Sequence, residues 1–185
     1  FGITTVDAKG VISPDFKGAG HKLYLVKHTP KANFTPDCEV LRANFSLVSE
    51  QIEKGNILSA YAIGFGGVAE ALSKMSFGNE VGVNVNLSES ELFDYNYGSI
   101  LVEATEDLSL PAAQYIGTVI EGTHLVINGE QVSREVLLRA CCGQFDKIYP
   151  SAVVAQHKEL LLEGVDSSSL ITHSSSLTFN GPAVE

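Results

Sequence analysis

The sequence predicts an α+β fold in which helices pack on one face of a mixed, largely antiparallel sheet. Three observations support this prediction. Apolar or alternating segments of strand length recur along the chain, amphipathic segments of helix length lie between them, and the turn signal "NGE" at 128–130 joins two neighbouring strands as a hairpin. The 185 residues are 44% hydrophobic, which is enough for the core of one domain.

The strands follow from short apolar segments. They are predicted in "KLYLV" (22–26), "NILSAYAIG" (56–64), "VGVNVNL" (81–87), "GSILVEA" (98–104), "QYIGTVIEG" (114–122) and "HLVINGEQV" (124–132). The second of these is almost continuously apolar, which is typical of a strand in the centre of its sheet.

Three helices are predicted by their terminal residues and apolar spacing. The first extends over about 36–54, with Thr35 as its N-cap and Gly55 as the residue that ends it. The second follows Gly66 and Gly67 and places Val68, Leu72 and Met75 on one face. The third begins after Ser133 as its N-cap. The acidic segment "SESELFD" (88–94) is interpreted as a solvated loop.

The chain divides into three parts by composition. Residues 1–20 are turn-rich and are interpreted as a linker leading into the domain, which covers 21–150. Residues 151–185 contain one more predicted helix and a Ser-rich stretch that is interpreted as a linker or arm. Because the chain starts without Met or a signal peptide, we expect it to be a piece of a longer protein, and a cytoplasmic one.

The charge and hydropathy exclude two classes of partner. A formal net charge of −10 argues against a nucleic-acid partner, because such a surface needs clustered Lys and Arg. No apolar run approaches the roughly 20 residues that span a bilayer, so a membrane partner is not expected either.

The turn at Gly66 and Gly67 is the one candidate for ligand binding. A strand, a glycine pair and a helix N-terminus can direct backbone N–H groups at an anion. However, "GFGG" matches neither a P-loop nor a dinucleotide-binding loop, and no Lys or hydroxyl follows to complete a phosphate site. A tight turn that needs small residues is therefore the favoured interpretation, and any binding role of these glycines is limited to their backbone.

No catalytic or metal-binding set is predicted. The histidines are scattered and are interpreted as surface residues, at positions 21, 28, 124, 157 and 173. The three cysteines are Cys38, Cys141 and Cys142, and their odd number and adjacency do not suit a disulfide framework or a metal site. Buried, reduced thiols are expected.

The order of segments resembles a specific family. "VISPDFKGAGHKLYLV" resembles the first strand of the C-terminal domain of the AIR synthase-related superfamily, and "SAYAIGFGGVAEALSKMSFGNEVGVNVNL" its strand, Gly-Gly, helix and strand unit. "LFDYNYGSILVEA" and "AQYIGTVIEG" are similar to the strand pair that follows. Within the superfamily the likeness is greatest to the phosphoribosylformylglycinamidine synthase family, and it covers about residues 10–150.

The resemblance implies a role in a multidomain enzyme. The parent would be an ATP- and Mg²⁺-dependent ligase of purine biosynthesis that converts FGAR to FGAM with glutamine-derived ammonia, and 151–185 would lead to its glutaminase domain. Family members commonly carry "HDxSDGG" where this chain has "YAIGFGG", so Ala62 and Phe65 stand at the two Asp positions. Neither can hold Mg²⁺. The domain is therefore expected to be structural, without a catalytic residue or cofactor of its own.

Two other functions stay open. One is a free-standing module that binds a small molecule or anion at the Gly66–Gly67 turn, and the other is an oligomerisation domain. The expected partners are the remaining domains of the parent chain. The isolated fragment is expected to form a homodimer through apolar surface, with Val81, Val83, Val85 and the arm "AVVAQHKELLL" (152–162) as contributors.

Overall fold

The computed structural model describes residues 2–3, 5–145 and 148. The predictions made for 151–185, including the arm 152–162, lie outside the described residues. Within the described residues, a first compact unit ends at Arg139, and the residues from Ala140 on belong to a second. The fold described below is that of the first unit. No helix among the described residues is long and apolar enough to cross a membrane.

Seven strands form one sheet in the order β2-β4-β1-β5-β3-β6-β7. The strands are β1 Lys22–Val26, β2 Ile57–Ala62, β3 Val81–Val85, β4 Ile100–Ala104, β5 Ala113–Glu121, β6 His124–Ile127 and β7 Glu130–Ser133. All neighbouring pairs are antiparallel except β3 and β6, which are parallel. The predicted mixed, largely antiparallel sheet is therefore confirmed. The hairpin β6–β7 turns at Asn128 and Gly129, both with positive φ, as the "NG" pair predicted.

Four α-helices accompany the sheet in the described part of the chain: α1 Cys38–Glu53, α2 Gly67–Met75, α3 Glu89–Phe93 and α4 Arg134–Cys142. Helix α1 begins later than predicted, because Asp37 is its N-cap and accepts hydrogen bonds from the N–H groups of Glu39 and Val40. Thr35 instead donates to the side-chain oxygen of Asn33. Gly55 has a φ of 75° after the last turn of α1, as expected for the residue that ends a helix.

The segment predicted as an acidic loop is the short helix α3. Ser88 and Glu91 form a reciprocal capping box, in which each side chain bonds to the backbone of the other residue. This local pair converts the acidic segment into one turn of helix. Helix α4 is capped by Ser133 as predicted, since its Oγ accepts the N–H of Glu135 at 3.2 Å.

The helices cover both faces of the sheet, and the prediction of one covered face is wrong. Strand β1 shows why, because its side chains alternate between two hydrophobic clusters. Leu23 and Leu25 pack with residues of α2, whereas Tyr24 and Val26 pack with Val48 of α1. A strand with consecutive apolar residues is buried on both faces, and the last four residues of "KLYLV" have that pattern.

Two further predictions about strands are wrong. Strand β2 was expected at the centre of the sheet and lies at its edge, next to β4. Its apolar character comes from burial of both faces, which does not require a neighbour on each side. Val83 and Val85 were expected to contribute exposed surface and are fully buried, because the face of β3 that carries them packs in the core with the apolar residues of α2. They belong to the same cluster as α2.

Candidate functional site

The turn between β2 and α2 is closed by hydrogen bonds within the chain. The N–H of Gly66 donates to Glu70 Oε2 at 2.8 Å, and the N–H of Gly67 donates to the carbonyl of Gly64 at 3.2 Å. Glu70 also pairs with Lys74 one turn further along the helix. Lys74, and after it the N–H of Gly66, lower the pKa of Glu70. The N–H of Gly66, which an anion at this turn would need as a donor, is thus already bonded to the side-chain carboxylate of Glu70.

Both glycines of the turn are required by close packing. Gly67 has a φ of 68°, and a Cβ at this position would lie 2.5 Å from the carbonyl oxygen of Leu92 in α3. A Cβ on Gly66 would lie 2.6 Å from the Cβ of Glu70. The turn accordingly brings α2 and α3 together at a distance that only glycine permits. Whether these backbones also contact a ligand stays a prediction.

The positions of the family carboxylates offer no ligand for a metal. Ala62 and Phe65 are both exposed on the surface beside the turn. Within residues 2–3, 5–145 and 148, no group of three or more His, Cys, Asp or Glu side chains could hold a metal ion. The turn has the bend that the sequence predicted. The exposed ring of Phe65 lies at the position that corresponds to the second Asp of the family motif.

A buried carboxylate that the sequence reading missed lies on β4. Glu103 is fully buried, and its two oxygens accept the backbone N–H of Lys17 at 3.0 and 2.9 Å. The N–H of Gly18, at 3.3 Å, and the hydroxyl of Ser59, at 2.7 Å, also donate to it, and His21 Nδ1 lies 2.7 Å from Oε1. We call this group the Glu103 cluster. It fastens the segment before β1 to the sheet.

The signal for this cluster is a single acidic residue in an apolar strand. In "ILVEA" Glu103 alternates with the buried Leu101, so its side chain lies on the face that carries Leu101, opposite to Val102 and Ala104. Buried carboxylates need several donors. The donors come from residues 17–21 and from β2, and their arrival at this point depends on the tertiary fold.

The histidines among the described residues are not all surface residues. His28 is buried, with Nδ1 2.9 Å from the carbonyl of Tyr97, and its Nε2 accepts the N–H of Asp37 at 3.1 Å. Since a backbone N–H can only donate and a carbonyl can only accept, the ring is neutral and carries its proton on Nδ1. His28 therefore links the start of α1 to the loop before β4. His124 is exposed as expected, and His157 and His173 lie outside the described residues.

The cysteines are exposed, and the prediction that they are buried is wrong. Cys38, Cys141 and Cys142 are all unpaired and reachable by solvent. Cys38 is the first residue of α1, and the other two end α4. Helix α4 has no buried residue among those described, which explains why its cysteines do not contribute to a core.

Solved structures share this fold, whereas no protein-family model matches the chain. PurLQS from Thermotoga maritima aligns with a TM-score of 0.60 and 16% identity over 71% of this chain and 28% of that chain. Phosphoribosylformylglycinamidine synthase II from the same organism aligns with a TM-score of 0.60 and 15% identity over 71% and 28%. This chain therefore shares the fold of the aligned part of these solved chains.

The solved chains that align are much longer than this chain. A further Thermotoga maritima structure, PurL complexed with FGAR, aligns with a TM-score of 0.57 and 14% identity over 70% of this chain and 30% of that chain. The chain therefore spans less than a third of the length of these solved chains. At such identities the likeness concerns the arrangement of strands and helices alone.

Proposed function

We propose that this chain is a structural, non-catalytic domain of a phosphoribosylformylglycinamidine synthase-like enzyme. The parent enzyme would convert FGAR to FGAM in the cytoplasm with ATP, Mg²⁺ and glutamine-derived ammonia, and the partners of this domain would be the remaining domains of that protein. The observation that carries the proposal is the β2–turn–α2 unit. It has the glycine pair of the family motif, while Ala62 and Phe65 stand at the positions of its carboxylates.

Packing supports a structural role for the turn. Gly67 meets the backbone of α3, and the N–H of Gly66 is bonded to Glu70. Both features explain the glycines without a bound ligand. They also weigh against the alternative of a free-standing anion-binding module, because the N–H groups of both Gly66 and Gly67 already have acceptors within the chain.

The proposal is tested first on the isolated chain. Release of phosphate from ATP in the presence of Mg²⁺ should equal the blank, with and without FGAR and glutamine. Among the described residues no group of three or more His, Cys, Asp or Glu side chains could hold the Mg²⁺ that this chemistry needs. Turnover that persists through further purification and falls in a Gly66→Ala variant would contradict a non-catalytic role.

The identity of the parent enzyme needs a second measurement. The flanking reading frame should be sequenced and the whole encoded protein assayed for FGAM formation from FGAR, ATP and glutamine. We expect activity in the whole protein, and a Phe65→Ala variant should keep it within about twofold. A whole protein that folds but forms no FGAM would exclude this parent, whatever the isolated domain does.

A further inference from the structure

A row of exposed aromatic rings leads away from the Gly66–Gly67 turn. Phe65 and Tyr95 have ring centroids 5.4 Å apart, and Tyr95 and Tyr97 follow at 6.0 Å with their planes within 5° of parallel. Their exposed fractions are 75%, 61% and 54%. We call these three residues the aromatic ladder. Contiguous exposed apolar surface is uncommon on soluble monomeric proteins, and where it occurs it often marks an interaction site.

The ladder ends at a pocket of about 300 Å³. Tyr95 and Tyr97 line it together with Phe34, Pro30 and Pro36. Phe34 is 89% exposed and has a φ of 62°, an unfavourable backbone conformation for a bulky side chain. No burial of the ring compensates for that conformation. Strained residues of this kind are concentrated at functional positions.

Both walls of the pocket are held by hydrogen bonds. The loop that carries Phe34 is closed by Phe34 N–H to the carbonyl of Lys31 at 2.8 Å and by Lys31 N–H to the carbonyl of Thr35 at 2.9 Å. His28 holds the carbonyl of Tyr97, as described above. Because both nitrogens of His28 are occupied, the imidazole leaves no free polar atom for a ligand. Recognition therefore depends on the ring faces and the tyrosine hydroxyls.

We propose that the aromatic ladder and its pocket bind a proline-rich segment of a partner protein in the polyproline II conformation, with a basic residue beside the prolines. Such a segment has three residues per turn and rises about 3.1 Å per residue, so residues on one side of it recur about every 9.3 Å. The two steps of the ladder, 5.4 and 6.0 Å between successive ring centroids, together give room for one such repeat. Prolyl rings on aromatic faces are the usual contact in this mode of recognition.

The polar groups of the ladder fit the same ligand. A polyproline II backbone makes no internal hydrogen bonds, so its carbonyls need external donors. The hydroxyls of Tyr95 and Tyr97 are such donors, and neither has a partner within the part of the chain that the structure describes. A segment lying along the rings would therefore find both apolar and hydrogen-bonding contacts.

The negative charge of this chain favours a bound segment that has a basic residue beside its prolines. Asp94 is exposed, directly precedes Tyr95, and forms no ion pair among the described residues. The loop that carries Phe34 contains two lysines, and each has an acidic partner: Lys27 lies 3.0 Å from Glu91 and Lys31 lies 3.8 Å from Asp37. The whole chain carries a formal charge of −10. The same charge disfavours single-stranded nucleic acid, the other polymer that stacks on exposed aromatic rings.

The test uses the 185-residue chain and an octaproline peptide with an arginine at each end. Binding is followed by calorimetry and by tyrosine fluorescence, which is usable because the chain has no Trp. We expect saturable one-to-one binding that weakens about tenfold in Tyr95→Ala and in Tyr97→Ala. The matched control is Tyr115→Ala, since Tyr115 is also 54% exposed but lies on β5 outside the ladder. It should change affinity less than twofold.

Each other outcome overturns a stated part of the proposal. Equal binding of a Gly-Ser peptide with the same arginines would remove the polyproline requirement, and equal binding of a glutamate-flanked octaproline would remove the charge requirement. No saturable binding at millimolar peptide would refute the site. A dimer in sedimentation velocity that Tyr97→Ala dissociates would show that a second copy occupies the ladder. None of these measurements depends on the proposed enzyme, because none involves ATP chemistry.

Discussion

Replacing Glu103 by Gln tests how the Glu103 cluster fastens the N-terminal segment to the sheet. The change keeps the size of the side chain and converts one acceptor oxygen into an NH₂ donor. If the amide oxygen takes the place of Oε1, the NH₂ group faces the N–H of Lys17 and the hydroxyl of Ser59, which now donate to Oε2 at 2.9 and 2.7 Å. The hydroxyl can rotate and accept, but the N–H cannot.

The expected cost follows from these contacts. One bond of the Lys17 N–H is replaced by a contact between two donors, and the remaining bonds lose their charged acceptor. Hydrogen bonds to charged groups contribute about 1.5–3 kcal/mol, against about 0.5–1.5 kcal/mol for neutral ones. We therefore expect Glu103→Gln to lower the free energy of unfolding by about 1–3 kcal/mol. Glu103→Ala removes every acceptor and leaves a cavity, so its cost should reach about 3–5 kcal/mol.

Urea unfolding at pH 7, followed by far-UV circular dichroism, measures this difference. The matched control is Glu106→Gln, because Glu106 is exposed and has no ion pair among the described residues. Hydrogen exchange at Lys17 and Gly18 adds a local readout, since both amides should lose protection in Glu103→Gln. If Glu103→Gln unfolds at the same urea concentration as Glu106→Gln, the cluster does not stabilise the domain and the reasoning is wrong.

Three further predictions concern α3, the glycines and the thiols. Gly67→Ala should destabilise by more than Gly122→Ala, since both have positive φ but only Gly67 adds a clash, with the carbonyl of Leu92; equal unfolding midpoints would contradict this. The Ser88 hydroxyl, with further donors, lowers the pKa of Glu91 from 4.5 to about 2, so its stabilisation is complete above pH 4.5 and is lost as pH falls towards 2; a carboxyl that titrates near pH 4.5 by NMR would oppose it. All three thiols should react with Ellman's reagent in the native protein, and a count that rises only on denaturation would show that some are buried.

The features that the sequence predicted well are those set by adjacent residues. The "NG" turn, the glycine that ends α1, and the Ser133 cap each depend on a few neighbouring dihedral angles and one or two hydrogen bonds. The apolar stripe of α2 is equally local in origin, and Val68, Leu72 and Met75 are all fully buried. Local chemistry was sufficient in these cases because no distant contact competes with it.

The errors arose where distant contacts decide. Thr35 and Asp37 are both good N-cap residues. The N–H of Asp37 donates to His28 Nε2, nine residues earlier in the chain, and this contact favours Asp37 as the N-cap of α1. The position of β2 depends on which strands pair, and its apolar residues report only the burial of its faces. Likewise the donors around Glu103 come from two segments that are distant in sequence. The turn at Gly66 and Gly67 could be predicted, whereas the groups that surround it could not.

The turn and the aromatic ladder belong to one connected structure. Gly67 sets the close approach of α2 to α3, and α3 leads directly into Tyr95. On the other side, Ile63 N–H donates to the carbonyl of Ser99, whose hydroxyl accepts the N–H of His28. A side chain at Gly67 would therefore displace the segment that carries the ladder. Gly67 thus helps to position the exposed aromatic residues, and this effect needs no anion at its own backbone.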